Sequence, residues 1–164
     1  MIMKKDKKKE FINYVNLREA RLPEQKMVME QIEKDGVCPF CPENLAHYHK
    51  EPTLKEGKFW LLSKNQWPYE HTNAHFIAIH KEHIEHIKDL TPEAGAELTE
   101  LFAWAAKEYN IPGGAVAIRF GKSEHGNYGS SVLHLHAHLI EPNLKNPAKE
   151  KIKFKIGQPK DTLD

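Results

Sequence analysis

Cysteine is nearly missing from this chain: of 164 residues, only Cys38 and Cys41 are of that type, and they lie in a single Cys-x-x-Cys. That excludes the evenly spread cysteine framework of a small secreted domain, and a reducing, cytoplasmic setting fits the pair better. No stretch approaches the roughly 18 consecutive apolar residues of a membrane span. The lysine-rich start leads into no apolar region, so neither a span nor a signal peptide is expected. An excess of charge is also missing, since 24 Lys and Arg against 23 Asp and Glu leave a net +1. A dedicated duplex-DNA binder, whose affinity rests on surplus cations facing phosphates, is excluded, while a small anionic ligand remains open. The length excludes a second enzyme-sized domain. One domain of this size buries roughly 70% of its unfolded surface, so a metal is not needed merely to hold the fold.

Histidine, by contrast, is abundant, with 11 copies of the side chain that serves near neutral pH as base, nucleophile or metal ligand. Their placement depends on the elements that carry them. The run Lys4, Lys5, Lys7, Lys8 and Lys9 reads as a solvated terminus. Phe11, Ile12, Tyr14, Val15 and Leu17 have the spacing of a short amphipathic helix, and a second is expected from Pro23 through Met27, Val28 and Ile32 to a stop at Gly36. From Cys38 to Gly57 the polar, proline-bearing chain reads as irregular. Strands are expected at Phe59–Leu62 and His75–Ile79, then a short helical piece around Ile84 and Ile87. Thr91 as N-cap with Pro92 behind it opens a long helix carrying Leu98, Leu101, Phe102, Ala105 and Tyr109 on one face. After the Pro112-Gly113-Gly114 break come a strand at Ala115–Phe120, a glycine-rich loop from Gly121 to Ser131 and a strand at Val132–Ile140. Alternation of Ile152, Phe154 and Ile156 with lysines suggests a last edge strand. The fold class is α+β with a mainly antiparallel sheet. Residues 1–35 read as a helical extension with a basic tail, 36–157 as the domain and 158–164 as a C-terminal tail.

The densest chemistry lies in Leu133-His134-Leu135-His136-Ala137-His138-Leu139-Ile140. On a strand, alternation sends His134, His136 and His138 to one face and Leu135, Ala137 and Leu139 to the other. Three imidazoles on one face fit a metal site, nucleophilic attack on a phosphate by a neutral imidazole, or a merely solvated sheet surface. Just upstream, Gly126-Asn127-Tyr128-Gly129-Ser130-Ser131 permits a tight turn whose amides and hydroxyls can face phosphate oxygens, or an ordinary glycine loop. Ser131 is the favoured serine. Cys38-Pro39-Phe40-Cys41 fits a thiol-disulfide motif or half of a zinc site. The polar Glu33-Lys34-Asp35-Gly36 before it is not the apolar strand that a redox motif follows. His47, His49, His71, His75 and His125 have no distinguishing spacing, and surface or loop positions are expected for them, with His125 nearest the phosphate-side loop.

The string HLHAHLI resembles the His-x-His-x-His-x-x signature of the histidine triad (HIT) family of nucleotide hydrolases and transferases. Ala74 to Ile84 resembles that family's strand-and-turn segment, and Asp89-Leu90-Thr91-Pro92-Glu93 its long-helix start, so the likeness spans roughly residues 36–142. The resemblance implies a HIT-like fold, a homodimer and His136 as the nucleophile that forms a nucleotidyl-histidine at an α-phosphate. It also implies that His138 shapes the same phosphate site and that Ser131 bonds phosphate or the leaving group. Zinc-bearing relatives imply one structural zinc on Cys38, Cys41, His83 and His134, with His80 and His86 as neighbouring alternatives to His83. Asn65, Arg119, Gly129, Ser130 and Ser131 are the implied nucleotide-binding set. Phe59 and Leu61 are further base candidates, though core packing is the expected fate of both. Arg119 stands near where several relatives have an Asn, which adds a charge suited to extra phosphates. Dinucleoside polyphosphates or related adenylylated compounds are the expected substrates. A non-catalytic nucleotide-binding module and a thiol oxidoreductase using Cys38 and Cys41 are the alternatives.

Overall fold

The computed structural model describes residues 13–122 and 128–157. A 3-10 turn at Leu17–Glu19 and helices α1 (Pro23–Asp35) and α2 (Pro42–Tyr48) precede strands β1 (Thr53–Glu56), β2 (Trp60–Lys64) and β3 (Thr72–His80). A second 3-10 turn at Ile87–Asp89 leads to α3 (Pro92–Glu108), β4 (Ala115–Ile118) and β5 (His136–Pro142). All pairings are antiparallel, in the order β1-β2-β3-β5-β4. The helix signals act as expected. Gly36 ends α1 at a φ of 65°, where a side chain would be strained, and the Thr91 hydroxyl accepts the Ala94 N–H at the start of α3.

Each face of the sheet has its own cover. Leu98, Leu101, Phe102 and Ala105 of α3 pack on Trp60, Leu62, Phe76, Ala78, Leu135, Ala137 and Leu139. Burying such side chains contributes about 1.5–3 kcal/mol each, so this layer anchors the fold. Glu97 ties α3 to the β1–β2 turn by accepting the N–H groups of Lys58, Phe59 and Trp60 at 2.8–2.9 Å. On the opposite face, Leu61, Ile77 and Ile79 are covered by Phe40 and Leu45. Beside them Met29 and Ile32 of α1 share a small core with Val15 and Val132.

Several expected elements differ. The stretch before α1 is not a helix: residues 13–16 run extended, and Val15 bridges Val132, because an open backbone edge near Val132 offers a partner that an isolated four-residue helix lacks. Phe11 and Ile12 lie outside the described residues, as do the basic run and the 158–164 tail. The segment after Cys38 contains α2 and β1 rather than an irregular chain, since Pro42 at the first helical position starts a turn and Thr53–Glu56 pairs with β2. Regular pairing on the triad strand begins at His136; before it, the backbone bonds to Tyr14, Ile84 and His80 instead. Residues 151–157 form no strand. Ile152 and Phe154 are half-buried among exposed lysines, and the segment is pinned by Arg119, whose Nε donates to the Lys155 carbonyl at 2.7 Å.

Candidate active site and metal centre

The register of β3 and β5 builds the site. His138 lies opposite Ile77, His136 opposite Ile79, and His75 opposite Ile140, so His75 and His138 are diagonal neighbours on the face away from α3. All three triad histidines are buried, between 2% and 5% exposed. The solvated-face reading is therefore wrong: α1, Phe40 and the loop carrying Tyr69 cover this face.

Hydrogen bonds fix the proton of His136 and constrain those of His75 and His138. A carbonyl only accepts, so the 2.6 Å contact of His136 Nδ1 with the His134 carbonyl places the proton on Nδ1 and leaves Nε2 with a free electron pair. Burial, with a contribution from the Arg119 charge, lowers the His136 pKa to about 4, so the ring is neutral at pH 7. His75 Nδ1 accepts the Tyr69 N–H at 3.1 Å, while His75 Nε2 lies 2.9 Å from His138 Nδ1 and 3.1 Å from the Asn65 amide nitrogen, a donor whose own oxygen accepts the Trp67 N–H. A His75 proton on Nδ1, as the Asn65 amide favours, makes His138 donate from Nδ1; one on Nε2, as the Tyr69 N–H favours, makes His138 accept there and carry its own proton on Nε2. That atom is buried and has no partner among the described residues. In the second arrangement a donor without an acceptor stands beside the free electron pair of His136, the polarity that a bound phosphate oxygen would complete. Burial, followed by the Arg21 and Arg119 charges, lowers the His75 pKa to about 3. Burial and the neighbouring cations also hold His138 well below its ordinary value.

His136 and His138 open on a cavity of about 140 Å³, also lined by Ser131, Gly129, Asn65 and Arg119. Sites that enclose a drug-sized ligand start near ~300 Å³, so a nucleotide would be only partly enclosed. Arg119 is held by its bond to Lys155, by Tyr69 Oη at 3.1 Å and by the Phe154 ring, 3.5 Å from its guanidinium carbon. Gly129 has a φ of 90°, and a Cβ there would lie 2.7 Å from the Lys155 carbonyl, so glycine is required. Ser130 is turned aside, its hydroxyl donating to Val132 O at 2.7 Å. Phe59 packs toward α3, and Leu61 sits in the core patch under Phe40. His125, Gly126 and Asn127 lie outside the described residues. His75 is the functional histidine that spacing alone missed: it is buried rather than on the surface or in a loop, and its signal was its place on the strand paired with the triad. Arg21 was also missed. It reaches in from before α1, donating to the Trp67 and Pro68 carbonyls with its guanidinium carbon 4.5 Å from the Tyr69 ring centre.

Next to the triad, Cys38 Sγ, Cys41 Sγ, His83 Nδ1 and His134 Nδ1 all lie within 4.8 Å of one another, a donor set that can hold a metal ion. His134 Nδ1 is 3.3 Å from Cys38 Sγ and 3.9 Å from Cys41 Sγ, and His83 Nδ1 is 3.5 Å from Cys41 Sγ. Both rings are oriented from behind: His134 Nε2 donates to the His80 carbonyl at 2.5 Å and His83 Nε2 to Glu85 at 3.3 Å. Each Nδ1 is thus left as an electron-pair donor facing the thiols, the outer-shell arrangement metal-binding histidines use. His80 and His86 turn elsewhere, His80 onto Trp60 and His86 onto Phe120. Burial pushes the Cys38 thiol up to about 12 and also raises Cys41. A redox nucleophile needs the opposite shift.

A family model described as "Scavenger mRNA decapping enzyme C-term binding" matches residues 38–154. The chain belongs to this histidine-triad-like family. No curated protein matches it. Among solved structures, the chain is similar to a histidine triad nucleotide-binding protein from Candida albicans, at 20% identity over 78% of this chain and 87% of that one, with a TM-score of 0.55. It is similar to a hypothetical protein from Leishmania major, at 24% identity, 77% and 84% coverage and a TM-score of 0.52. A Zn-bound histidine triad family protein from Mycobacterium smegmatis matches at 23% identity, 71% and 82% coverage and a TM-score of 0.50. At these identities the likenesses show the shared fold. Among the described residues no helix is long and apolar enough to cross a membrane.

Proposed function

We propose that the protein is a nucleotidyl hydrolase or transferase acting at a nucleotide α-phosphate through a covalent nucleotidyl-histidine on His136. The observation that carries this reading is the pairing of a neutral His136, its Nε2 electron pair free, with the buried, unpartnered Nε2 of His138, which is protonated in the tautomer that the Tyr69 N–H favours. In the first step Nε2 attacks phosphorus, the bond to the leaving oxygen or nitrogen breaks, and that atom departs with the electron pair. His138 and Ser131 donate to phosphate oxygens as charge builds on them. In the second step water or inorganic phosphate attacks phosphorus, the P–N bond breaks, and neutral His136 is restored as the acceptor's proton passes to solvent.

The two sides of the triad differ. Arg119, with Lys155 beside it, lies toward β4 and suits the further phosphates of a dinucleoside polyphosphate or a related adenylylated compound. On the β2 side the cavity is apolar at Ile77 and Phe40, with the polar side chains of His49 and Asn65 and the Arg21 guanidinium around that patch. The family's name, taken from an mRNA-decapping enzyme, and the nucleotide-binding relative from Candida albicans support a nucleotide substrate.

Zinc suits Cys38, Cys41, His83 and His134. Metal–donor bonds of 2.0–2.3 Å give tetrahedral sulfur-to-nitrogen edges of about 3.5 Å, and the separations here are 3.3, 3.5 and 3.9 Å. When bound it supplies a structural clamp, fixing the 38–41 segment to His134, two residues before His136. The open edge of β4 suits a homodimer, and the metal-thiolate site a reducing, cytoplasmic setting.

The test is product chromatography of the protein and its His136→Ala variant with diadenosine polyphosphates and adenosine phosphoramidate, with and without inorganic phosphate. Turnover lost in the variant is expected, and product formed only with phosphate would identify a phosphorylase. Nucleotide binding without turnover in the unaltered protein would overturn the enzyme reading in favour of a binding module.

A further inference from the structure

One polar group at the cavity has no part in the mechanism above. His49 caps the end of α2, its N–H bonded to the Leu45 carbonyl, and this turn swings the ring back over the sheet. The ring lines the same cavity as His136 and His138, edge-on to Phe40, which is itself edge-on to His136.

Its protonation is dictated from below. Ser63, fully buried on β2, has carbonyl acceptors at Pro52 and Lys64, 3.0 and 3.2 Å from its oxygen. The single hydroxyl proton must go to these carbonyls, so the 2.8 Å contact with His49 has Nε2–H donating to Ser63 Oγ. His49 Nδ1 is thereby fixed as an acceptor, and no bond occupies it among the described residues.

The sheet register says what lies before that acceptor. Ser63 pairs with Ile77, and Ile77 with His138, so one row of side chains runs from β2 across β3 to the triad. Two strand spacings, roughly 10 Å, separate its ends. The row is apolar in the middle, with Ile77 below and Phe40 above. The cationic groups at Arg119 lie on the other side of His138, beyond Ala117. A nucleotide attacked at its α-phosphate would therefore place its leaving phosphates toward β4 and its nucleoside over Ile77.

We infer that His49 Nδ1 accepts a hydrogen bond from the nucleoside part of the substrate, from either a ribose hydroxyl or an exocyclic amine of the base, and so selects for it. This rests on the nucleotidyl-transfer reading and adds a binding residue to it. The contact persists from ground state to transition state, because the nucleoside does not change during reaction, so its loss appears in KM rather than kcat.

The experiment measures kcat and KM for His49→Phe and His49→Gln against wild type, using adenosine phosphoramidate and its 2′-deoxy, 3′-deoxy and inosine counterparts. His49→Phe keeps a ring without an acceptor, and a KM rise of about three- to tenfold at nearly constant kcat is expected. His49→Gln, which carries an acceptor oxygen, recovers part of it. Wild type should disfavour one analogue by a similar factor, and His49→Phe should not distinguish that analogue from the parent. A deoxy analogue so marked names the ribose; inosine names the amine. Equal KM values for wild type on all four compounds would overturn the inference even if His49→Phe failed to fold. A fall in kcat alone would do the same. Absence of turnover by wild type on every compound would instead count against the function itself.

Discussion

His75 Nε2 lies 2.9 Å from His138 Nδ1; the Tyr69 N–H on the other nitrogen of His75 favours donation from His75 to His138, while the Asn65 amide nitrogen, 3.1 Å from Nε2, opposes it. In the proposed arrangement His75 Nε2–H keeps His138 Nδ1 an acceptor and the His138 proton on Nε2. Replacing His75 with Leu frees the His138 ring to take the other tautomer, which turns an electron pair instead of a donor toward the phosphate. The expected result is a fall in kcat of about 10- to 100-fold with a smaller change in KM. His75→Gln, whose amide can donate, should recover part of the loss. A His75→Leu enzyme with unchanged kcat would show that the His138 donor is not used.

The pH profile gives a separate check on the nucleophile. An exposed histidine protonates near 6.5 and would lose activity below that pH. The pKa of His136 is lowered to about 4 by burial first and by Arg119 second. Its free electron pair is therefore expected to persist into mildly acidic solution, and kcat/KM should stay level from pH 8 to near pH 5 before falling. An acid limb with its midpoint near 6.5 would place the nucleophile elsewhere or in a wetter site.

Much of this site was legible because strand alternation is local. His134, His136 and His138 fall on one face and Leu135, Ala137 and Leu139 on the other whatever the neighbours are. The long helix was legible for the same reason, with Thr91 and Pro92 marking its start. The likeness to the triad family supplied Cys38, Cys41, His83 and His134 as a group; their approach to one another depends on loops whose paths no spacing encodes. His75 and His49 were not legible, since each acquires its role from a partner 63 or 14 residues away. The 151–156 alternation misled because it reports which side of a segment faces the protein, and that pattern does not require a neighbouring strand.

The metal centre predicts a change in stability as well as in composition. Preparations made without chelator should contain one equivalent of zinc per chain by elemental analysis, and Cys38→Ser should lose it. Structural zinc contributes on the order of 10 kcal/mol in small modules, and each kcal/mol lost lowers Tm by about 2–4 °C in a chain of this size. A Cys38→Ser variant with unchanged Tm and metal content would remove Cys38 from the ligand set. The same substitution separates this centre from a thiol-based activity, which would be lost without any release of metal.

Glu97 predicts how the scaffold beneath the site responds to acid. Burial pushes its carboxyl pKa upward, but the N–H groups of Phe59, Trp60 and Lys58 outweigh that and leave it lowered. A lowered folded-state pKa means stabilisation that is complete above the unfolded value of about 4.3 and is lost as pH falls through the folded value. Glu97→Gln should therefore cost about 1–2 kcal/mol near pH 7, discounted toward the lower figure because the group is largely solvated, and the cost should shrink below pH 4. Gly57 offers an independent route to the same contact, since a Cβ there would lie 2.2 Å from Glu97 Oε1 and displace the carboxylate. Gly57→Ala and Glu97→Gln should then be less than additive in denaturant unfolding at pH 7, because displacing the side chain removes the same charge-assisted bonds that the amide has already weakened or lost. Full additivity would mean that the carboxylate is not what holds the β1–β2 turn to α3.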